Sequence, residues 1–296
     1  INIKVKNMNI EFPRYIIIQT TSYCNANCII CPYGSLVKKQ PQGLMDLDTY
    51  HKIIDEASSY DVERILLYLM NEPLMDKDIV SKINYAKEKN PNTMVHIVSN
   101  GSLLNKKLSI DLINSKLDYI EFSVLANRKE SYRKIMHLDF NRTIKGILNF
   151  IKIARMQNKG NDYININITR TPSLLPTEEK DGMINFWREA GIKNINYFDM
   201  PISRAGNVSF LPKVKHNSVK GCESIWANEM MHILYNGDVI LCCMDWKREV
   251  VLGNIKKESI YQIWNGERYN QIRKMRDGKI ESPPSFICKR CEATKI

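Results

Sequence analysis

The chain has 296 residues, 44% of them apolar, and a formal net charge of +11 from 43 Lys and Arg against 32 Asp and Glu. That length buries one barrel-sized core with a smaller appendage. No apolar run reaches the roughly 18 residues of a membrane span, and lysines scattered without a basic, aromatic-interleaved tract argue against a nucleic-acid partner.

The charge leaves room for an anionic small substrate. The start, Ile1-Asn-Ile-Lys-Val-Lys6, lacks the apolar core and cleavage site of a signal peptide. It also lacks an initiator Met, so a few residues are expected to have been removed. Eight cysteines without an export signal point to reduced thiols in a cytoplasmic protein, and to metal or redox chemistry over a disulfide framework.

Tyr15–Thr20 is apolar and β-branched, as in a buried strand. Asp46 is placed to cap a helix with Tyr50, Ile53, Ile54 and Ala57 on one face. Val62–Met70 reads as a parallel strand covered on both sides. Asp76–Asn90 reads as helix, Thr93–Ser99 as strand ending at the Asn100-Gly101 turn, Asn105–Lys116 as helix and Leu117–Leu125 as strand. Arg142–Gln157 is an amphipathic helix, followed by strand Ile164–Thr169, helix Thr177–Ala190 and strand Lys193–Phe198. About six βα units predict an α/β fold with a parallel sheet, whose chemistry sits at the strands' C-terminal ends. Beyond residue 200 the rhythm changes. Met231–Tyr235 and Asp238–Met244 flank the turn pair Asn236-Gly237 and predict a hairpin. A helix over Ser259–Arg276 then leads to Cys288-Lys-Arg-Cys291.

The first strand runs into Cys24-Asn-Ala-Asn-Cys28-Ile-Ile-Cys31, a C-x3-C-x2-C loop. Three thiolates on one loop suit three irons of a [4Fe–4S] cluster and leave the fourth iron open to a ligand. The competing reading is zinc, but no fourth Cys or His lies nearby to complete its tetrahedron.

With the strand before it and the βα units after it, this loop resembles that of the radical S-adenosylmethionine (SAM) superfamily. The resemblance implies a partial (β/α)6 TIM-like barrel. It also implies that the open iron binds SAM, which one electron cleaves to a hydrogen-abstracting 5′-deoxyadenosyl radical. The family usually has an aromatic residue where Ile30 stands, near the adenine. Asn71-Glu72-Pro73 resembles the family's Gly-Gly-Glu-Pro segment, which holds the cofactor's amino group, although the glycine positions carry Met70 and Asn71. Asn100, Ser123, Asn167, Thr169 and Arg170, at or near strand ends, are further cofactor candidates; such residues also simply satisfy backbone groups.

The second half resembles the SPASM/twitch extension, a small α+β iron–sulfur domain. That places a core over 1–205 and an extension over 206–296. Five cysteines remain there, enough for one auxiliary [4Fe–4S] cluster on Cys222, Cys242, Cys288 and Cys291; a structural zinc on the same residues is the alternative. Cys243 is then spare: a small buried side chain or a hydrogen-atom donor. Ser203-Arg204-Ala205-Gly206 resembles a run whose arginine points into the active site, and a surface arginine is the plain alternative.

The resemblance implies an oxidoreductase fed by an external one-electron reductant such as flavodoxin or ferredoxin. Only 23 residues precede Cys24, too few for a peptide-leader domain, so a small sugar-like or aminocyclitol substrate is expected. Dehydrogenation to a ketone, with the auxiliary cluster as electron acceptor, is the preferred reaction. Epimerisation using Cys243 and ribosomal-peptide maturation are the alternatives, and a zinc-stabilised binding protein is the non-enzymatic one.

Overall fold

The computed structural model describes residues 10–170, 174–175, 177–199 and 202–296. The first strand, β1 (Tyr15–Ile18), is buried at every position, as its unbroken apolar run demands. The alternation continues with α1 (Leu47–Ala57), β2 (Arg64–Leu66), α2 (Ile79–Lys89), β3 (Met94–Ser99), α3 (Lys106–Asn114) and β4 (Tyr119–Ser123). Two helices, α4 (Lys129–Met136) and α5 (Phe140–Met156), precede β5 (Ile164–Arg170), and α6 (Thr177–Glu189) leads to β6 (Asn194–Asp199). These six strands lie in chain order and are parallel, so every C-terminal end meets one rim. The caps behave as expected: Asp46 accepts from the Thr49 amide, Asn105 from Leu108 and Asp139 from Arg142.

The rest is β7 (Gly221–Cys222), β8 (Met230–Ile233), β9 (Asp238–Ile240), β10 (Val251–Asn254), α7 (Ile260–Asn265), α8 (Glu267–Arg276) and β11 (Thr294–Lys295). The expected hairpin forms, but it also joins the main sheet. β8 pairs in parallel with β1, Tyr15 opposite Met230 and Ile18 opposite Ile233, giving a nine-stranded sheet. Two expected elements differ in extent, and one helix, α4, was not expected. The helix over Ser259–Arg276 is two helices, because Gly266 is extended (ψ 156°). The strand expected over Val62–Met70 keeps regular pairing only at Arg64–Leu66, since the chain beyond it turns toward the rim. α4 carried too few apolar residues in its eight to stand out.

Strand alternation sorts the sheet's two faces. Ile16, Ile18, Ile65, Val95, Ile97, Ile120, Phe122, Ile166 and Ile168 join the helix-covered core. The other face carries Arg64, His96, Tyr119, Glu121, Ser123, Asn165 and Asn167 and is polar at β4 and β5, while Tyr15, Ile17 and Leu66 make an apolar cluster on it at β1 and β2.

One ion pair lies inside the core. Lys82 Nζ is 2.6 Å from Asp76 Oδ2, with side-chain exposures of 2% and 1%. The Tyr50 hydroxyl donates to the Lys82 carbonyl at 2.7 Å. Lys82→Ala leaves Asp76 charged and unpaired, and is expected to cost about 3–5 kcal/mol in urea unfolding. A loss below about 1 kcal/mol would mean that the pair is dispensable.

Candidate active site

The loop after β1 is fastened from three sides. The Tyr33 hydroxyl accepts from the Cys24 amide at 2.7 Å and from Gln42 Nε2 at 2.8 Å. The Ile29 amide donates to the Ile135 carbonyl at 2.9 Å and the Asn27 amide to Met136 at 3.4 Å, so the end of α4 braces the loop. Cys31 donates its amide back to the Cys28 carbonyl at 3.0 Å, a tight turn that keeps those thiols together.

Burial pushes the Cys24 thiol up to about 12, and the Glu72 carboxylate and Cys31 add to it. Burial also raises Cys28, with Cys31 and Cys24 contributing. Three mutually repelling, desolvated thiols store negative charge only with a multivalent cation among them. Among the described residues, no three His, Cys, Asp or Glu side chains converge closely enough for one metal ion. A cubane fits such a set, because each thiolate binds a different iron.

Glu72, from the loop after β2, is 2% exposed. Its Oε1 accepts from the Leu74 amide at 3.0 Å and from Ser99 Oγ at 2.7 Å, and its Oε2 from the Asn100 amide at 2.7 Å. Burial nevertheless lifts its carboxyl to about 7. Pro73 opens the short 3-10 turn that follows. Asn71 Oδ1 accepts from the Leu69 amide at 2.8 Å, while its buried Nδ2 has no partner among the described residues. Asn100 Nδ2 donates to Asn25 Oδ1 at 2.9 Å, and Asn25 donates to Ser102 Oγ at 2.8 Å, tying the cysteine loop to the end of β3.

The other candidates divide. Ile30 is half-buried against the core. Ser123 and Thr169 are half-buried on the polar face of β4 and β5. Asn167 Nδ2 donates to Glu121 Oε2 at 2.7 Å. Arg170 ends β5, and its side chain is outside the described residues.

The C-terminal cysteines gather from three places. Cys222 lies on β7, paired with Thr294 of β11. Cys242 follows β9, and Cys288 and Cys291 bracket a turn in which the Cys291 amide donates to the Cys288 carbonyl at 3.2 Å. This repeats the geometry of Cys28 and Cys31. Burial raises Cys242, with Cys243, Cys288 and Cys291 adding to it. Burial lifts Cys288 to about 12 and Cys291 to about 11. All eight thiols are free.

Arg204 links the two groups. Its charge lowers both the Cys31 and the Cys243 thiol, against the larger upward effect of burial. The turn presenting it is strained: Arg204, Ala205 and Gly206 are all left-handed, at φ of 56°, 55° and 76°. Glu292, beside Cys291, clamps that turn by accepting from the Ser203 amide at 2.6 Å and the Ala205 amide at 3.4 Å. Arg290 Nε donates to the Ala205 carbonyl at 3.2 Å. Cys243 is exposed to solvent.

Sequence reading missed Tyr33 and Glu292, which no pattern marks, and the polar face of the sheet. The alternation Ile164-Asn-Ile-Asn-Ile168 was the available signal for that face.

A parallel α/β sheet with a three-cysteine loop and a buried carboxylate at one rim, facing a second cysteine set, defines an iron–sulfur radical enzyme. The Radical SAM superfamily model matches residues 18–186, and the SPASM iron–sulfur cluster-binding domain model matches 222–292. The chain belongs to the radical SAM superfamily and carries a SPASM domain; it is an oxidoreductase whose cofactors are SAM and [4Fe–4S] clusters. It is 22% identical over 281 residues to the S-adenosyl-L-methionine-dependent 2-deoxy-scyllo-inosamine dehydrogenase of Niallia circulans, covering 94% of this chain and 92% of the relative. It is 21% identical to the tungsten-containing aldehyde ferredoxin oxidoreductase cofactor-modifying protein of Pyrococcus furiosus, covering 88% of this chain and 83% of that one. The fold resembles the crystal structure of BtrN in complex with AdoMet and 2-DOIA (TM-score 0.64, 20% identity, 96% and 94% coverage). It also resembles that of Streptococcus suis SuiB bound to precursor peptide SuiA (TM-score 0.71, 17% identity, 89% and 67% coverage). Among the described residues no helix is long and apolar enough to cross a membrane.

Proposed function

We propose that this protein dehydrogenates a secondary alcohol on a small sugar-like or aminocyclitol ring. The observation that carries this reading is that the charge of Arg204 acts on both the Cys31 and the Cys243 thiol, which supports the two cysteine groups serving one site. Similarity along 94% of the chain to a relative named as an aminocyclitol dehydrogenase supports it. Cys24, Cys28 and Cys31 would hold the SAM-binding cluster, with Glu72 and Asn71 toward the cofactor's amino group. Cys222, Cys242, Cys288 and Cys291 would hold the auxiliary cluster. When bound, these groups supply a hydrogen-abstracting radical and an acceptor for one electron. The alcohol loses a hydrogen atom from carbon, a proton from oxygen and one electron, which balances as a ketone. Arg204 would hold the cofactor carboxylate or a substrate hydroxyl by a forked contact. The proposal includes a core over 1–205, an extension over 206–296, a cytoplasmic setting and a flavodoxin- or ferredoxin-like electron donor.

The second reading is epimerisation, favoured by the accessible position of Cys243 beside Arg204 and Tyr68. Anaerobic turnover in D2O separates the two. Dehydrogenation yields a ketone with no deuterium gained at the reacting carbon, and Cys243→Ala keeps at least about half of the activity. An epimerised product carrying deuterium at carbon, lost in Cys243→Ala, would overturn dehydrogenation.

A further inference from the structure

The polar face of the sheet holds a set of acceptors grouped around Glu121, which lies outside the cysteine loops and the Glu72 rim. In register, Glu121 stands beside Asn165 and Asn165 beside Asn194, while Ser123 stands beside Asn167 and Asn167 beside Asn196. Among the described residues, Glu121 is the sole carboxylate on this face of β2 to β6. It is half-buried and makes no ion pair among those residues. The cation in its surroundings is Arg64, on β2, whose guanidinium donates instead to the Tyr119 hydroxyl at 3.4 Å.

The hydrogen bonds fix which atoms are left for a ligand. Asn167 turns its Nδ2 to Glu121 Oε2 at 2.7 Å. Its carbonyl Oδ1 therefore faces away, and that atom is buried with no donor among the described residues; Asn165 Oδ1 is in the same state. Orphaned buried acceptors are costly until a donor arrives. An ammonium group brings three donors and a positive charge. Its donors match the two unpartnered amide oxygens, and its charge matches a carboxylate that burial has pushed upward. A phosphate brings no donors and is repelled by Glu121. A hydroxyl brings one donor and no charge. Beside Glu121 on the same face, Tyr68, His96 and Tyr119 form an aromatic side, with His96 stacked on Tyr119 at 4.3 Å between centroids. Such a side suits the apolar edge of a ring.

We propose that Glu121, Asn165 and Asn167 seat a substrate ammonium group, so that the ring oxidised by this enzyme bears a primary amine. The inference rests on the dehydrogenase reading for the ring and its oxidation, and on the acceptor set for the amine. It makes Glu121 the specificity-determining residue between amino-polyols and their plain or phosphorylated counterparts.

Anaerobic equilibrium dialysis of the reconstituted protein with SAM tests it. The probes are 2-deoxy-scyllo-inosamine, scyllo-inositol and an inositol phosphate. Wild type is expected to bind the amine at least about tenfold tighter than either other ring. Glu121→Gln, which preserves shape, is expected to erase that preference by weakening the amine roughly 10- to 100-fold, as for a lost charge-assisted hydrogen bond. Iron content and SAM affinity, unchanged in the variant, establish that it is folded. An equal amine preference in wild type and variant, or a wild-type preference for the phosphate, would overturn the seat. Equal binding and oxidation of the amine and the plain cyclitol refutes the seat while oxidation of a polyol stands. Amine binding lost in Glu121→Gln, with no ketone formed by wild type, keeps the seat and refutes the oxidation. Binding of none of the three rings refutes both.

Discussion

Replacing Cys24, Cys28 and Cys31 together by alanine is expected to lower iron from about eight to about four atoms per chain and to abolish cleavage of SAM. The eight cysteines divide as three and five, and the thiols of each group act on one another. Cys24, Cys28 and Cys31 act on one another, while Cys242 responds to Cys243, Cys288 and Cys291. The first set lies between β1 and α4, and the second between β7, β9 and β11. Loss of one should therefore leave the other loaded. The reciprocal variant, Cys288→Ala with Cys291→Ala, is expected to retain about four irons and to cleave SAM without forming the ketone. Iron, sulfide and zinc per chain after anaerobic reconstitution, with 5′-deoxyadenosine as the product assay, decide the matter. About four irons and one zinc in the wild type would make the second set structural and remove the electron acceptor. Undiminished SAM cleavage in the triple variant would break the assignment of the first set.

Much of this arrangement was legible because the chemistry needs side chains at fixed sequence spacing. Two C-x2-C pairs, at Cys28–Cys31 and Cys288–Cys291, close the same backbone turn, since two intervening residues bring the second amide onto the first carbonyl. The strands were legible where apolar runs were continuous, as at Tyr15–Ile18, because both faces are buried there. What escaped had no local signature. β8 joins β1 across more than two hundred residues, and four-residue strands do not encode their partners. Glu292 looks like any surface acid beside a cysteine, yet it clamps the left-handed turn at Arg204. Glu121 was passed over because charge in a strand suggests solvent, whereas here it is half-buried and hydrogen-bonded to Asn167 on the neighbouring strand.

The affinity for SAM is expected to fall about tenfold between pH 8 and pH 6, and this fall should depend on Glu72. Three donors converge on its carboxylate, from Leu74, Ser99 and Asn100, and all three favour the charged form. Complete burial opposes them more strongly, so the group titrates near 7. The sign follows. Cofactor recognition through an amino group needs the carboxylate as acceptor. That form is about nine-tenths populated one unit above the midpoint and about one-tenth one unit below it. Affinity is thus retained at pH 8 and lost as pH falls through 7. In the empty chain the same shift acts in the opposite direction on stability, because the folded carboxyl holds its proton up to about 7 and the unfolded one releases it near 4.5; stability from this group falls between those values as pH rises. Glu72→Gln removes the titration and sets an amide donor among backbone and hydroxyl donors, so it should bind SAM at least about tenfold more weakly at pH 8. The ratio of wild-type to variant dissociation constants cancels the titration of the cofactor's own amine. A ratio that is the same at pH 6 and pH 8 would mean that Glu72 supports the rim without contacting the cofactor, and the amino group would then have to be received by Asn71 or by the Asn100 loop.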